Sequence, residues 1–176
     1  MKRAKQSWRP ELQNKRRILD IGSEINKRRA PRLQKVEVLI MIKLIVGKKG
    51  TGKTKILINM VEEAVKASNG NVVCVEKVPK LTYDIPSSAR LMETSKDNIE
   101  GYDEFYGYIT GILSGNFDIT DLFIDSTLRI GGRDYDKLGK FLEKLNPVVA
   151  DREVNVVFTI SADKEELPAS VQAFIG

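Results

Sequence analysis

The sequence predicts an α/β fold on a mainly parallel sheet of about five strands. Three observations lead to it. From Met41 onward, short apolar runs alternate with amphipathic stretches, the signature of strand–helix–strand units. Gly, Pro and Asn punctuate the junctions, so these are separate elements rather than one long helix. At 176 residues and 41% hydrophobic content, the chain is long enough for one substantial core and no second domain.

Residues 42–46 form the first strand and lead into a glycine-rich string at 47–54. A helix over 52–68 follows, with Ile56, Met60, Val61, Ala64 and Val65 near one stripe and Asn69-Gly70 as its stop. The second strand is 72–78. Pro79 and Pro86 bound a loop containing Tyr83 and Ser87-Ser88, and 90–94 reads as a short strand. The stretch 102–113 places Phe105, Ile109, Ile112 and Leu113 on one side of a helix that ends near Gly115-Asn116. Residues 121–125 have the character of a buried strand. An amphipathic helix over 135–145 is closed by Pro147, and 154–160 is the clearest strand of the chain. The tail, with Glu165-Glu166 and Pro168, suggests a short helix. There is no internal repeat or low-complexity segment.

Composition narrows the chemistry. The chain has no histidine and a single cysteine, which excludes an internal disulfide, histidine-based catalytic dyads and histidine pH switches, and argues against zinc. Cys74 lies inside the apolar run 72–75 and reads as core packing. A reduced, cytoplasmic setting fits. The longest apolar stretch, 36–46, is broken by Glu37 and Lys43 and is shorter than the roughly 20 residues of a membrane span. The net charge of +5 divides unevenly, with +8 on residues 1–40 and −3 on residues 41–176.

Residues 1–40 show repeated Lys-Arg clusters, Pro10 and Pro31 beside charged neighbours, and no sustained period. They read as a disordered basic leader. Met41 opens the first strand and is a candidate true start. Val36-Glu37-Val38 can be encoded GTG-GAG-GTN, one permitted codon choice that would contain a ribosome-binding string just upstream of the Met41 codon. We therefore expect 1–40 to be an over-extended start in a bacterial gene; the rival expectation is a basic arm touching nucleic acid or an acidic partner.

The chemistry concentrates in Gly47-Lys48-Lys49-Gly50-Thr51-Gly52-Lys53-Thr54, a complete G-x-x-x-x-G-K-[ST] string between strand and helix. Glycines let backbone N–H groups curl around phosphate oxygens, and the helix presents its positive end to the anion. Lys53 reaches the phosphates and Thr54 supplies a hydroxyl to magnesium. Lys48 and Lys49 fill variable positions and raise local positive potential. The strand 121–125 ends on Asp125, a carboxylate at the sheet edge where open α/β proteins bind ligands, and a second magnesium ligand.

These residues resemble the P-loop NTPase superfamily, with 47–54 as Walker A and 121–125 as Walker B. Within it, the likeness is to the RecA/AAA-like branch, in which a further strand follows Walker B and lies beside the first. The resemblance covers 41–176 and implies a single three-layer α/β/α domain that binds Mg-ATP. It also implies a polar sensor at the end of the additional strand, a role open to Ser161 or Thr159. The family usually places glutamate directly after the Walker B aspartate; Ser126-Thr127 stands here instead. Glu76, at the end of the second strand, is the best substitute for that base, with Glu93 next. Arg129 and Arg133, around Gly131-Gly132, form a loop from which an arginine reaches transferred phosphate in cis or on a neighbouring subunit.

The resemblance implies a slow cytoplasmic ATPase with an unidentified protein client. Two alternatives stand beside it. One is a non-enzymatic switch whose partner affinity changes with bound nucleotide. The other is a nucleoside-type kinase whose acceptor is covered by 79–88 or 126–134, although thymidine-kinase-like enzymes carry an acidic residue after Walker B and zinc-binding cysteines that this chain lacks. A twitching-motility retraction ATPase is excluded, because its motif contains histidine. Homo-oligomers are common in the branch. Residues 41–176 offer neither the basic stripe nor the stacking aromatics of a nucleic-acid binder, and the guanine-reading N-K-x-D string is missing from them.

Overall fold

The computed structural model describes residues 41–176; the expectations for 1–40 lie outside the described residues. Five strands, β1 (Ile42–Val46), β2 (Asn71–Glu76), β3 (Arg90–Glu93), β4 (Ile119–Ile124) and β5 (Asn155–Ile160), form one sheet in the order β1-β5-β4-β2-β3. Every pairing is parallel. The helices are α1 (Lys53–Ala67), α2 (Tyr102–Gly115), α3 (Thr127–Ile130), α4 (Tyr135–Asp151) and α5 (Ala169–Gln172), with a 3-10 turn at Lys164–Glu166.

Alternation along the strands sorts the core onto two faces. Val72, Cys74, Phe123 and Val157 pack with Leu57 and Val61 of α1. Their neighbours Val73, Val75, Leu122, Ile124, Val156 and Phe158 pack with Phe105 and Ile109 of α2 and with Leu138, Phe141 and Leu142 of α4. The rings of Phe105 and Phe141 stack at 5.3 Å, and Phe158 meets Phe141 edge-on at 5.8 Å. Strands buried on both sides explain why β2 and β5 read as unbroken apolar runs.

The helices depart from expectation in two places. α4 does not close before Pro147 but runs to Asp151 with the proline inside. Proline removes one helical N–H and crowds the carbonyl four residues back. Leu145, Asn146 and Val149 are nevertheless buried on one side, and the Met41 amide donates to Asn146 Oδ1 at 3.3 Å. Packing and this bond hold the last turn. The stretch 126–134, expected as a loop, instead contains α3, whose Leu128 and Ile130 are buried. Four residues are too few to show a period.

Strand β2 stops at Glu76 rather than at Val78. The Glu76 carboxylate accepts from the amides of Lys80 and Leu81, which turns the chain out of the sheet. At the opposite edge, Leu44 of β1 donates to the Phe174 carbonyl at 2.9 Å, and Ile175 forms a parallel bridge with Leu44. No helix among the described residues is long and apolar enough to cross a membrane.

Candidate functional site

Parallel register lines up the strand ends. Glu93 of β3 pairs with Glu76 of β2, and Ile45 of β1 with Thr159 of β5. Val75 and Phe158 both pair with Ile124, so one step further Glu76, Asp125 and Thr159 stand side by side. By alternation all of them face the α1 side. The sheet thus carries a polar row where the helix begins.

The 47–54 loop bridges β1 and α1. Gly50 and Gly52 have φ of 88° and 84°, left-handed values that glycine adopts without penalty. Thr51 Oγ1 donates to the Lys48 carbonyl at 2.9 Å and closes the turn. α1 starts without a side-chain cap and without an acidic residue in its first turn, leaving its first amides and positive end to an external anion. Lys53 is buried, and its ammonium donates to the carbonyls of Gly47 and Lys48, both at 2.7 Å. Burial holds its pKa below the ordinary lysine value, and the Asp125 carboxylate partly offsets that.

Asp125 is surrounded by hydroxyls. Thr54 Oγ1 donates to its Oδ1 at 3.2 Å, Thr159 Oγ1 to the same oxygen at 2.8 Å, and Ser126 Oγ to Oδ2 at 2.9 Å. The Ser126 amide donates back to Thr159 Oγ1 at 2.9 Å. Ser126 has φ 59°, a left-handed conformation uncommon outside glycine. A cavity of about 760 Å³ opens beside this group; Ser126, Thr159 and Ser161 line it together with the cations Lys48, Lys49, Lys80, Arg129 and Arg133 and the carboxylates Asp163 and Glu166. Lys48 pairs with Asp163 at 3.1 Å, a contact that raises the lysine pKa.

The sequence-derived candidates separate here. Lys53, Thr54 and Asp125 come together with Thr159, and Ser161 lines the cavity. Glu76 stands next to Asp125 but is only 2% exposed, and its Oε2 accepts from Lys80 N at 2.9 Å and Leu81 N at 3.1 Å. Burial pushes its pKa up; the two amides pull the other way, and Asp125 and Glu93 add to the rise. Glu76 and Glu93 line a separate cavity of about 470 Å³. Glu93 is tied up by Lys96 Nζ at 2.8 Å and by Ser95 Oγ, which holds its carboxyl below the usual range. Cys74 is buried, and burial lifts its thiol to about 12, in keeping with a core role.

Sequence reasoning missed Lys80, because nothing in its loop position marks it. It also left open that the Thr159 hydroxyl is committed to Asp125 and Ser126. Among the described residues no cluster of three or more His, Cys, Asp or Glu is arranged to hold a metal. The pair of hard oxygens on Thr54 and Asp125 suits magnesium, which takes one or two protein ligands and completes its shell with phosphate and water. No family model matches this chain, and no curated protein matches it.

Proposed function

We propose that this chain is a Mg-ATP-binding P-loop protein of the RecA/AAA-like branch, a slow ATPase acting on a protein client. The observation that carries the reading is the Thr54 Oγ1–Asp125 Oδ1 contact at 3.2 Å, which joins the end of the 47–54 string to the end of β4 at a polar cavity. The position of β5 between β1 and β4 supports it, since that is the order the resemblance implies. Helices against both sheet faces fit a three-layer P-loop domain.

In this reading the loop amides and the start of α1 bind the phosphates. Lys53, held on the Gly47 and Lys48 carbonyls, exchanges them for phosphate oxygens. Bound magnesium supplies charge neutralisation, held by Thr54 and Asp125, while Thr159 fixes the carboxylate. Ser161 lines the cavity as the sensor hydroxyl left free by Thr159. Slow turnover follows from Ser126, whose Oγ serves Asp125 where a glutamate would orient water; a missing general base costs about 10²–10⁴-fold. A cytoplasmic setting and self-association that brings Arg129 or Arg133 to a neighbour's phosphate belong to the same proposal.

A second reading, a nucleotide-dependent switch without turnover, is favoured by one observation: the Glu76 carboxylate is engaged by two backbone amides. Calorimetric titration of the full chain with Mg-ATP, followed by multiple-turnover phosphate release, decides between them. The ATPase reading expects binding lost in Lys53→Ala and slow release by the wild type. Tight binding with no release selects the switch, and no binding by the wild type sinks both.

A further inference from the structure

Five cationic side chains, Lys48, Lys49, Lys80, Arg129 and Arg133, line one cavity in a body whose net charge is −3. Lys48 is neutralised by Asp163 at 3.1 Å. Lys80, Arg129 and Arg133 have no ion-pair partner among the described residues. Asp163 and Glu166 share the lining, so cationic side chains outnumber carboxylates around this concavity, and such an excess favours an anion in it.

The way Lys80 reaches the cavity is specific. Its loop leaves β2 at Glu76, whose carboxylate folds forward and accepts from the Lys80 amide at 2.9 Å and the Leu81 amide at 3.1 Å. Leu81 is buried against the α1 side of the sheet, so the turn is pinned by two bonds and by packing. The next side chain back, Lys80, is exposed and free. A buried carboxylate holding two main-chain amides fixes a loop as an N-cap fixes a helix start, with charge-assisted bonds roughly twice as strong as neutral ones.

We propose that Lys80 is an anion-binding residue of the cavity and that Glu76 is its positioning residue, fixing through its carboxylate the turn that carries the lysine. The inference rests on the reading of this cavity as a triphosphate site. It assigns Glu76 a role other than proton abstraction, and it gives the loop between β2 and β3 a part in binding.

The test measures Mg-ATP affinity and phosphate release in the full chain for wild type, Lys53→Ala, Lys80→Met, Glu76→Gln, Glu76→Ala and the Lys80→Met/Glu76→Ala double variant. Losing one charge-assisted contact weakens binding about tenfold, so Lys80→Met and Glu76→Ala should each show that loss. The double variant should be no weaker than either single, since both remove the same contact. Glu76→Gln keeps a side-chain oxygen for the two amides, and should retain wild-type affinity and whatever release the wild type shows. Lys80→Met at wild-type affinity beside a non-binding Lys53→Ala overturns the inference and leaves the triphosphate reading standing. So does a Glu76→Gln that binds normally but loses release, because Glu76 then acts as a base. These two variants, one at an exposed position and one isosteric, decide the matter even where Glu76→Ala does not fold. A wild type that does not bind Mg-ATP sinks the triphosphate reading and this inference together.

Discussion

Thr159 uses its hydroxyl twice, donating to Asp125 Oδ1 and accepting from the Ser126 amide. Thr159→Val keeps the shape, removes both bonds and leaves a main-chain donor without its acceptor. It should lower stability by about 1–3 kcal/mol, read as a lower urea midpoint, with Thr159→Ser close to wild type. Glu76 gives a prediction in pH. Its pKa is raised above the ordinary 4.5 by burial, so the folded chain holds this proton more tightly than the unfolded chain does. The stability it contributes is complete below 4.5 and is lost as pH rises through the folded value. Urea midpoints measured across that window should fall for wild type relative to Glu76→Gln, which does not titrate. At this scale the position of the 47–54 loop between β1 and α1, and of Asp125 just after β4, was legible, because spacing and strand ends mark them. Lys80 was not, since only folding shows which carboxylate captures which amide.

Among the elements, strands were legible to within a few residues because burial on both faces leaves continuous apolar runs. The ends were less so. β2 was expected to reach Val78 but ends at Glu76, whose side chain captures the amides of Lys80 and Leu81 and turns the chain away. In α4, a rule that is sound locally lost to packing: Pro147 is exposed and Val149 two residues on is buried, so the helix continues across the break. Pro147→Ala restores a helical donor worth about 3 kcal/mol, against roughly 0.4–1 kcal/mol lost from the unfolded chain. A net gain of about 2 kcal/mol is expected by chemical denaturation. α3 was invisible for the opposite reason, since a single turn anchored by Leu128 and Ile130 has no period to detect.

For the whole molecule, alternation of apolar runs and helices was enough to expect a parallel sheet, and the family resemblance implied that the last strand lies beside the first. That order, β1-β5-β4-β2-β3, has a consequence for biosynthesis. Ile42 pairs with Val156, so β1 leaves the ribosome long before β5, the strand it pairs with among the described residues. At about 5–20 residues per second the wait is on the order of ten seconds. Until β5 emerges, β1 and β4 are two unpaired apolar edges of the kind that recruit other chains. A chain stopped before residue 154 should therefore aggregate, visible as loss from the soluble fraction and as void-volume material on size exclusion. Thr159 arrives with that same strand and Ser161, Asp163 and Glu166 directly after it, so the cavity takes form only as the sheet closes, and a chain stopped before residue 154 has no finished cavity to offer a ligand.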